Sequence, residues 1–150
     1  EAWAGKQRKE ILSEAFVRQL HKQMFGDTWR WAGQFRKSDK NIGVDWLKIS
    51  VELRKLLGDV AAQIEHTSYP PDEVAARFHH RLVAIHPFPN GNGRHARLMA
   101  DLLAERLGQS RFTWGSRSLV DASATRQAYI TALQAADARN YTPLLVFARS

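Results

Sequence analysis

The 150-residue sequence contains no cysteine, so it can form neither a disulfide nor a thiolate zinc site. It has no apolar run near the roughly 18 residues that a membrane-spanning helix needs, and no signal-peptide pattern opens it. Low-complexity segments, internal repeats and long linkers are also absent from it. These absences predict a cytoplasmic protein with no membrane partner, folded as a single domain over residues 1–150. The first residue is Glu1 rather than Met, which is consistent with a further segment upstream.

Acidic residues are scarcer than basic ones: 15 Asp and Glu stand against 22 Lys and Arg, for a formal net charge of +7 at pH 7. Such a balance fits an anionic partner, such as nucleic acid, a phosphate compound or an acidic surface. Solvated Lys and Arg side chains explain the charge equally well, because no dense basic run and no interleaving of basic and aromatic residues occurs. We therefore do not predict nucleic acid as a partner.

Hydrophobic spacing predicts that most of the chain is helical. Residues 33–44 are the exception, because they have no helical period and contain two glycines, and we expect a short β-hairpin around Ser38 and Asp39. The pattern thus predicts a mostly α-helical protein with one small β flap. The predicted helices cover residues 9–24, 50–65, 70–85, 93–107 and 122–138, with a short final helix from Thr142.

One stretch, HPFPNGNGRHAR at residues 86–97, differs from an ordinary turn between helices. Its prolines end the preceding helix, and Gly91 and Gly93 allow positive φ and close approach of a ligand. The stretch enters the N-terminus of the next helix, where free N–H groups and the helix dipole favour an anion. Cations are unfavourable at such a position, so Arg94 and Arg97 indicate a bound anion such as a polyphosphate.

Other interpretations of this stretch fail on their own requirements. The pattern GxGxxA occurs, but a dinucleotide site needs a strand before it and the preceding segment is predicted to be helical. The GK[ST] of a P-loop is missing. The histidines at 79, 80, 86 and 95 lack both Cys and the HExxH pattern, so we predict no metal cluster from them. Phe88, between two prolines, is interpreted as a core anchor that fixes the turn.

The stretch at 86–97 resembles the Fic motif, usually HPFx[D/E]GNGRxxR. WRWAGQFR and the following KNIG resemble the segment leading into the flap of that family, and AYITALQAADARNYTPLLVFA resembles its C-terminal helices. The likeness extends over nearly all of the chain and is strongest to the Fic subfamily labelled mobile mystery protein B. It implies the Fic fold, an all-α bundle of about six to eight helices with a small β-hairpin flap.

Most characterised Fic proteins transfer AMP from ATP to a hydroxyl side chain of a target protein, and the resemblance implies the same activity here. His86 would be the general base for a Ser, Thr or Tyr hydroxyl, with pyrophosphate as the leaving group. Gly91, Asn92 and Gly93 would form the anion hole, which includes the Asn92 side chain. Arg94 would hold the β-phosphate of ATP, and Arg97 the γ-phosphate.

Two further elements follow from the same resemblance. Lys40, Asn41 and Ile42 would form the flap that binds the target chain by adding a strand edge. Asn90 stands where the family usually has the Asp or Glu that holds Mg²⁺, the implied cofactor. A neutral amide oxygen is a weaker ligand, which tempers the expected activity. Transfer of UMP or GMP, and a nucleotide-binding module with weakened catalysis, remain as alternatives.

The resemblance also bears on the type of reaction, through Gly93, and on how the activity is regulated. In Doc-type members a Lys at the position of Gly93 accompanies phosphorylation, so Gly93 favours nucleotidyl transfer. Many members are restrained by an [S/T]xxxE[G/N] helix whose Glu pairs with the last arginine of the motif, here Arg97. The sequence has no Ser or Thr followed by Glu four positions on. An inhibitory helix upstream of Glu1, an antitoxin-like partner, or no such restraint are the three alternatives.

Overall fold

The computed structural model describes residues 10–117 and 120–150. Within these ranges the helices confirm the all-α class and the count of six to eight. Across the same ranges, no helix has both the length and the hydrophobicity needed to cross a membrane. The α-helices are α1 (Glu14–Phe25), α2 (Ile49–Glu65), α3 (Pro71–Ile85), α4 (Asn92–Arg106), α5 (Ala122–Asp137) and α6 (Thr142–Ala148), and a 3₁₀ turn (Trp46–Lys48) precedes α2.

The core lies where α3 and α4 pack together, with α2 and α6 against α3 and with α1 against α4. The apolar stripe of α3 faces it, since Val74, Phe78, Leu82 and Ile85 are all buried. Phe88, from the turn after α3, is fully buried as well, as predicted. Burial of such a side chain contributes roughly 1.5–3 kcal/mol, so the turn between α3 and α4 is fixed to the core at its centre.

The first helix begins later than its hydrophobic spacing predicts. Residues 9–24 were expected to be helical, but α1 starts at Glu14, and Lys9 lies outside the described residues. The physical reason is a cap: the Ser13 hydroxyl accepts a hydrogen bond from the Phe16 N–H at 3.1 Å. A serine in this role satisfies a donor that the helix cannot satisfy itself, and it sets the start of α1.

The predicted β-hairpin over residues 33–44 is wrong, because this segment forms no strand in the structure. Its backbone pairs with the turn after α3 rather than with itself. The Arg36 N–H donates to the Pro87 carbonyl at 2.9 Å, and the Val44 N–H donates to the Ile85 carbonyl at 3.3 Å. Residues 33–44 therefore form an irregular flap that lies against residues 85–87.

Asp101 on α4 is a partly buried carboxylate that contributes to the pH dependence of stability. It accepts hydrogen bonds from the indole N–H of Trp114 at 2.9 Å and from the Phe112 N–H at 3.2 Å. Burial raises the pKa of Asp101 from 3.8 to about 6, and these hydrogen bonds only partly oppose the shift. The folded chain thus keeps this proton to higher pH than the unfolded chain, and stability falls as pH rises from about 4 to about 6.

Asp101→Asn is expected to remove this loss, because an amide oxygen keeps the acceptor and carries no charge. The free energy of unfolding of the variant should rise relative to the parent chain between pH 4 and pH 7. Urea denaturation at three pH values in this interval measures the difference. Asp27→Asn, at an exposed position after α1, is the control and should show little change. An Asp101→Asn effect of equal size at pH 4 and pH 7 would contradict the assignment.

Candidate active site

The turn between α3 and α4 has a backbone that few residue types adopt. His86 ends α3 in the left-handed region, with φ 53° and ψ 61°. Gly91 precedes α4 with φ 76°, and a Cβ at this residue would lie 2.7 Å from the ring of Phe25. Glycine is required at 91 for both reasons. The sequence HPFPNG therefore leads from the imidazole of His86 directly into the N-terminus of α4.

The first turn of α4 supplies backbone donors for an anion. The N–H groups of Asn92 and Gly93 lie there, and a helix has no preceding turn whose carbonyls could accept hydrogen bonds from them. The helix dipole also has its positive end here, which favours a negatively charged ligand. The Gly91 N–H donates to Oδ1 of Asn90 at 3.0 Å. Asn90 itself is exposed, and this side chain, which the family resemblance predicts to hold Mg²⁺, thus hydrogen-bonds to one of the predicted anion-hole residues.

The side chain of Asn92 fixes the turn internally. It is buried, its Oδ1 accepts from the Phe88 N–H at 2.9 Å, and its Nδ2 donates to the Phe88 carbonyl at 2.7 Å. Both polar atoms of the Asn92 amide are thus hydrogen-bonded to the backbone of Phe88. A direct contact of this side chain with an anion stays a prediction, whereas its bracing of the turn follows from the geometry.

The two arginines of the motif differ in their exposure and in the aromatic ring that each one contacts. Arg94 is exposed, with its guanidinium 5.6 Å from the ring centroid of Phe25. Arg97 is half-buried, with its guanidinium 5.4 Å from the ring centroid of Tyr129. A Cβ at Gly93 would lie 3.9 Å from Nη1 of Arg97. The missing side chain at 93 therefore leaves space between the helix N-terminus and this guanidinium.

Arg97 borders a cavity of about 730 Å³ that lies beyond it. Its size falls within the range of small-molecule sites, and such sites are usually apolar with a few polar groups. Here the lining combines aromatic rings with aliphatic, small and polar side chains. The aromatic residues that line the cavity are Trp114, Tyr129 and Phe147. The cavity could not be predicted from sequence, because these rings come from three separate parts of the chain.

His86 is half-buried and is suited to remain a neutral imidazole. Burial lowers the pKa of His86, and the positive charges of Arg36 and Lys40 lower it further. Since the ordinary value is about 6.5, the folded protein keeps the imidazole unprotonated throughout the neutral range. A neutral imidazole can accept a proton, which is the property that a general base needs.

Arg36 is a buried residue beside the candidate base that sequence analysis did not identify. It is buried, and its guanidinium holds the flap against the turn. Nε donates to the His86 carbonyl at 2.6 Å, Nη2 to the carbonyls of Ile85 (3.2 Å) and Val44, and Nη1 to Ser38 at 3.0 Å. In the sequence, Arg36 resembles another solvated cation because Lys37 follows it, and no pattern marks it as buried.

The predicted flap residues lie on the surface above this anchor. Lys40, Asn41 and Ile42 are exposed, and Ile42 keeps 60% of its surface accessible. The next residue, Gly43, has φ 100°, and a Cβ there would lie 2.7 Å from Cβ of His86. The structure thus brings the flap and the imidazole together. A partner chain at these three residues would lie next to His86.

His21 on α1 is the second residue that sequence analysis missed. Its Nε2 lies 3.0 Å from the Asn90 carbonyl, and its Nδ1 accepts from the Gly33 N–H at 3.0 Å. Burial lowers the pKa of His21, so it is a neutral imidazole that donates from Nε2 to Asn90. Its ring stacks on Phe88 at 3.8 Å between centroids. This side chain links α1, the flap and the turn.

Known proteins match this chain over most of its length. The model of the Fic/DOC family matches residues 11–104, which is more than half of the chain. The chain belongs to the Fic/DOC family. This Fic domain is 31% identical over 105 residues to a probable protein adenylyltransferase of Sinorhizobium fredii, an alignment covering 65% of the chain and 55% of that relative. It is also 31% identical over 109 residues to protein adenylyltransferase fic-1 of Caenorhabditis elegans, covering 69% of the chain and 21% of the relative.

Solved structures confirm the Fic fold. Fic-1 of Caenorhabditis elegans (residues 134–508, E274G) superposes with a TM-score of 0.73 at 26% identity, over 99% of this chain and 42% of that one. BepC of Bartonella tribocorum with bound AMPPNP gives a TM-score of 0.73 at 19% identity, over 99% and 78%. The likeness to mobile mystery protein B remains a prediction. The Fic domain spans 55% of the first curated relative and 21% of the second.

Proposed function

We propose that this Fic domain transfers AMP from ATP to a Ser, Thr or Tyr hydroxyl of a target protein. The observation that carries the proposal is the segment at residues 86–97, which joins a neutral imidazole to a helix N-terminus bearing two arginines. Relatives named protein adenylyltransferases support the same reaction type for this domain.

The triphosphate has a complementary set of groups along α4. The α-phosphate would accept hydrogen bonds from the N–H groups of Asn92 and Gly93, which also stabilise the charge that develops on it, since the Gly91 N–H is bound to Oδ1 of Asn90. Arg94 would hold the β-phosphate and Arg97 the γ-phosphate, as guanidinium groups do bidentately. Among the described residues, neither arginine forms an ion pair with a carboxylate. Both therefore have donors for phosphate.

His86 provides the proton acceptor for the transfer. An imidazole nitrogen takes the proton of the target hydroxyl as the hydroxyl oxygen forms a bond to the α-phosphorus. The bond from that phosphorus to the bridging oxygen breaks in line, and pyrophosphate leaves. The flap places the incoming chain next to His86, because Gly43 lies against this side chain. The product is an AMP ester of the hydroxyl.

Mg²⁺ is the cofactor that this function implies. The described residues contain no cluster of three or more His, Asp or Glu that could hold a metal. Asn90 offers one exposed neutral oxygen, which fits Mg²⁺ where phosphate oxygens and water supply the other ligands. Bound there, the ion would neutralise charge shared by the α- and β-phosphates.

Asn90→Asp is expected to strengthen this site. A carboxylate of the same size keeps the acceptor for the Gly91 N–H and adds a negative charge, so half-maximal transfer should need roughly tenfold less Mg²⁺. Transfer is followed over a Mg²⁺ titration at fixed ATP. Asn140→Asp, at an exposed position after α5, adds the same charge elsewhere and is the control. An unchanged Mg²⁺ requirement would show that residue 90 does not hold the ion.

The test of the proposed function uses ATP labelled at either the α- or the γ-phosphate, with Mg²⁺ and a cell lysate. AMP transfer labels proteins from the α position only. Label from the γ position would instead show phosphorylation and overturn the proposal. Unlabelled UTP and GTP as competitors distinguish transfer of UMP or GMP.

A nucleotide-binding module without chemistry is the second candidate function, and Asn90 is the observation that favours it. This candidate predicts tight ATP binding without transfer in both the parent chain and Asn90→Asp. A DNA-binding role, based on the charge of +7, predicts a steep fall of DNA affinity with salt, and a salt titration of a duplex tests it.

A further inference from the structure

A chain of three side chains leads from the core to the cavity beside the motif. His79 on α3 is fully buried, and its Nε2 lies 2.8 Å from the hydroxyl oxygen of Tyr129 on α5. Tyr129 lines the cavity together with Arg97. The ring of Tyr129 also lies under the guanidinium, 5.4 Å from its carbon. The mechanism above uses Arg97 but neither His79 nor Tyr129.

The environment of His79 fixes the direction of these hydrogen bonds. Nδ1 is fully buried, without a hydrogen bond of regular geometry among the described residues, and it faces the Ala96 carbonyl. A ring lone pair against a carbonyl oxygen would be repulsive, so the proton of the neutral ring lies on Nδ1 and Nε2 is the acceptor. The Tyr129 hydroxyl then donates to His79. This hydrogen bond fixes the phenol ring under the guanidinium of Arg97.

Arg97 depends on this contact for its orientation. Long arginine side chains have many rotamers, and fixing one of them has an entropic penalty. Among the described residues no carboxylate holds Arg97. The ring face of Tyr129, held in place by the hydrogen bond of its hydroxyl to His79, supports the guanidinium in this structure.

We propose that His79 and Tyr129 are positioning residues that hold Arg97 ready for the terminal phosphate and thereby set the preference of the site for ATP over ADP. Tyr129 acts through Arg97, and His79 acts through the Tyr129 hydroxyl. This inference rests on the proposed function, in which Arg97 binds the γ-phosphate.

The test compares ATP and ADP dissociation constants for Tyr129→Phe, which removes only the hydroxyl and keeps the ring. The ratio of the ADP to the ATP constant should fall on the order of fivefold, with ADP affinity nearly unchanged. Tyr141→Phe is the matched control, because the ring of Tyr141 lies 4.1 Å from the guanidinium of Arg77, outside the residues that line the cavity. Its ratio should equal that of the parent chain.

Substitution of His79 adds a second arm. His79→Leu leaves the Tyr129 hydroxyl without its acceptor and should lower the ratio as Tyr129→Phe does, whereas His79→Gln offers an acceptor oxygen and should restore part of it. If the buried His79 variants do not fold, Tyr129→Phe decides the question. Equal weakening of ATP and ADP, or an unchanged ratio, overturns the inference. If the parent chain binds no ATP, the proposed function fails with it; normal ATP binding with an unchanged ratio overturns the inference alone.

Discussion

Replacement of His86 by asparagine is expected to lower AMP transfer by roughly 10²–10⁴-fold, the usual contribution of a general base. Asparagine cannot accept the hydroxyl proton as imidazole does. It does tolerate the left-handed backbone of residue 86 (φ 53°) better than most residues. ATP affinity should stay nearly unchanged, because the donors for the phosphates lie at residues 92–97. Transfer of α-label and ATP binding are measured on the same preparation.

His66→Asn is the matched control for this experiment. His66 is exposed at the C-terminal end of α2, outside the turn at 86–97. Its variant should transfer AMP at the parent rate. His86→Ala extends the series, although alanine fits the left-handed backbone less well. Equal labelling by the parent chain and both His86 variants would show that another group takes the proton.

Arg36→Met is expected to destabilise the fold by about 3 kcal/mol and to reduce transfer. Methionine fills much of the same volume but leaves the carbonyls of Val44 and His86 without their donor, while the Ile85 carbonyl keeps the Val44 N–H. Each buried polar group left unpaired costs roughly 1–3 kcal/mol. The flap would also lose its attachment to the turn, so target transfer should fall more than ATP affinity. Urea denaturation and the transfer assay measure the two effects.

Arg54→Met is the control for loss of the charge alone, since Arg54 is exposed on α2. It should change the free energy of unfolding by less than about 0.5 kcal/mol. Arg36→Lys keeps the charge but not the planar fork, and an intermediate stability is expected. A loss below about 1 kcal/mol for Arg36→Met would show that the flap is held by its backbone contacts with residues 85–87 instead.

Local patterns predicted the helices because each helix carries its own signal. Val74, Phe78, Leu82 and Ile85 repeat at helical spacing and all face the core. The beginning of α1 was predicted too early because hydrophobic spacing says nothing about the Ser13 cap. The flap was predicted as a hairpin because residues 33–44 look extended, while the bonds that shape them go to residues 85 and 87. Such long-range pairing has no local signature.

The candidate site could be predicted where one motif contains it. Residues 86–97 contain the candidate base, the predicted anion-hole residues and both arginines, and in the structure they run without a break from the end of α3 into α4. His21 and Arg36 act on this turn from 50 or more positions away, and periodicity cannot relate residues at such separations. The Tyr129 hydroxyl and the cavity also require α5 to be placed beside α4, which only the fold determines.

The stacking of His21 on Phe88, with the amide of Asn92 closed on the same residue, has a thermodynamic consequence. All of these contacts join residues of the chain itself. The conformational entropy of the turn is therefore lost during folding, and little of it remains to be lost when a nucleotide arrives. Slow steps on ligand binding would accordingly arise in the exposed flap and the target chain, while the phosphate-binding turn behaves as a preformed receptor.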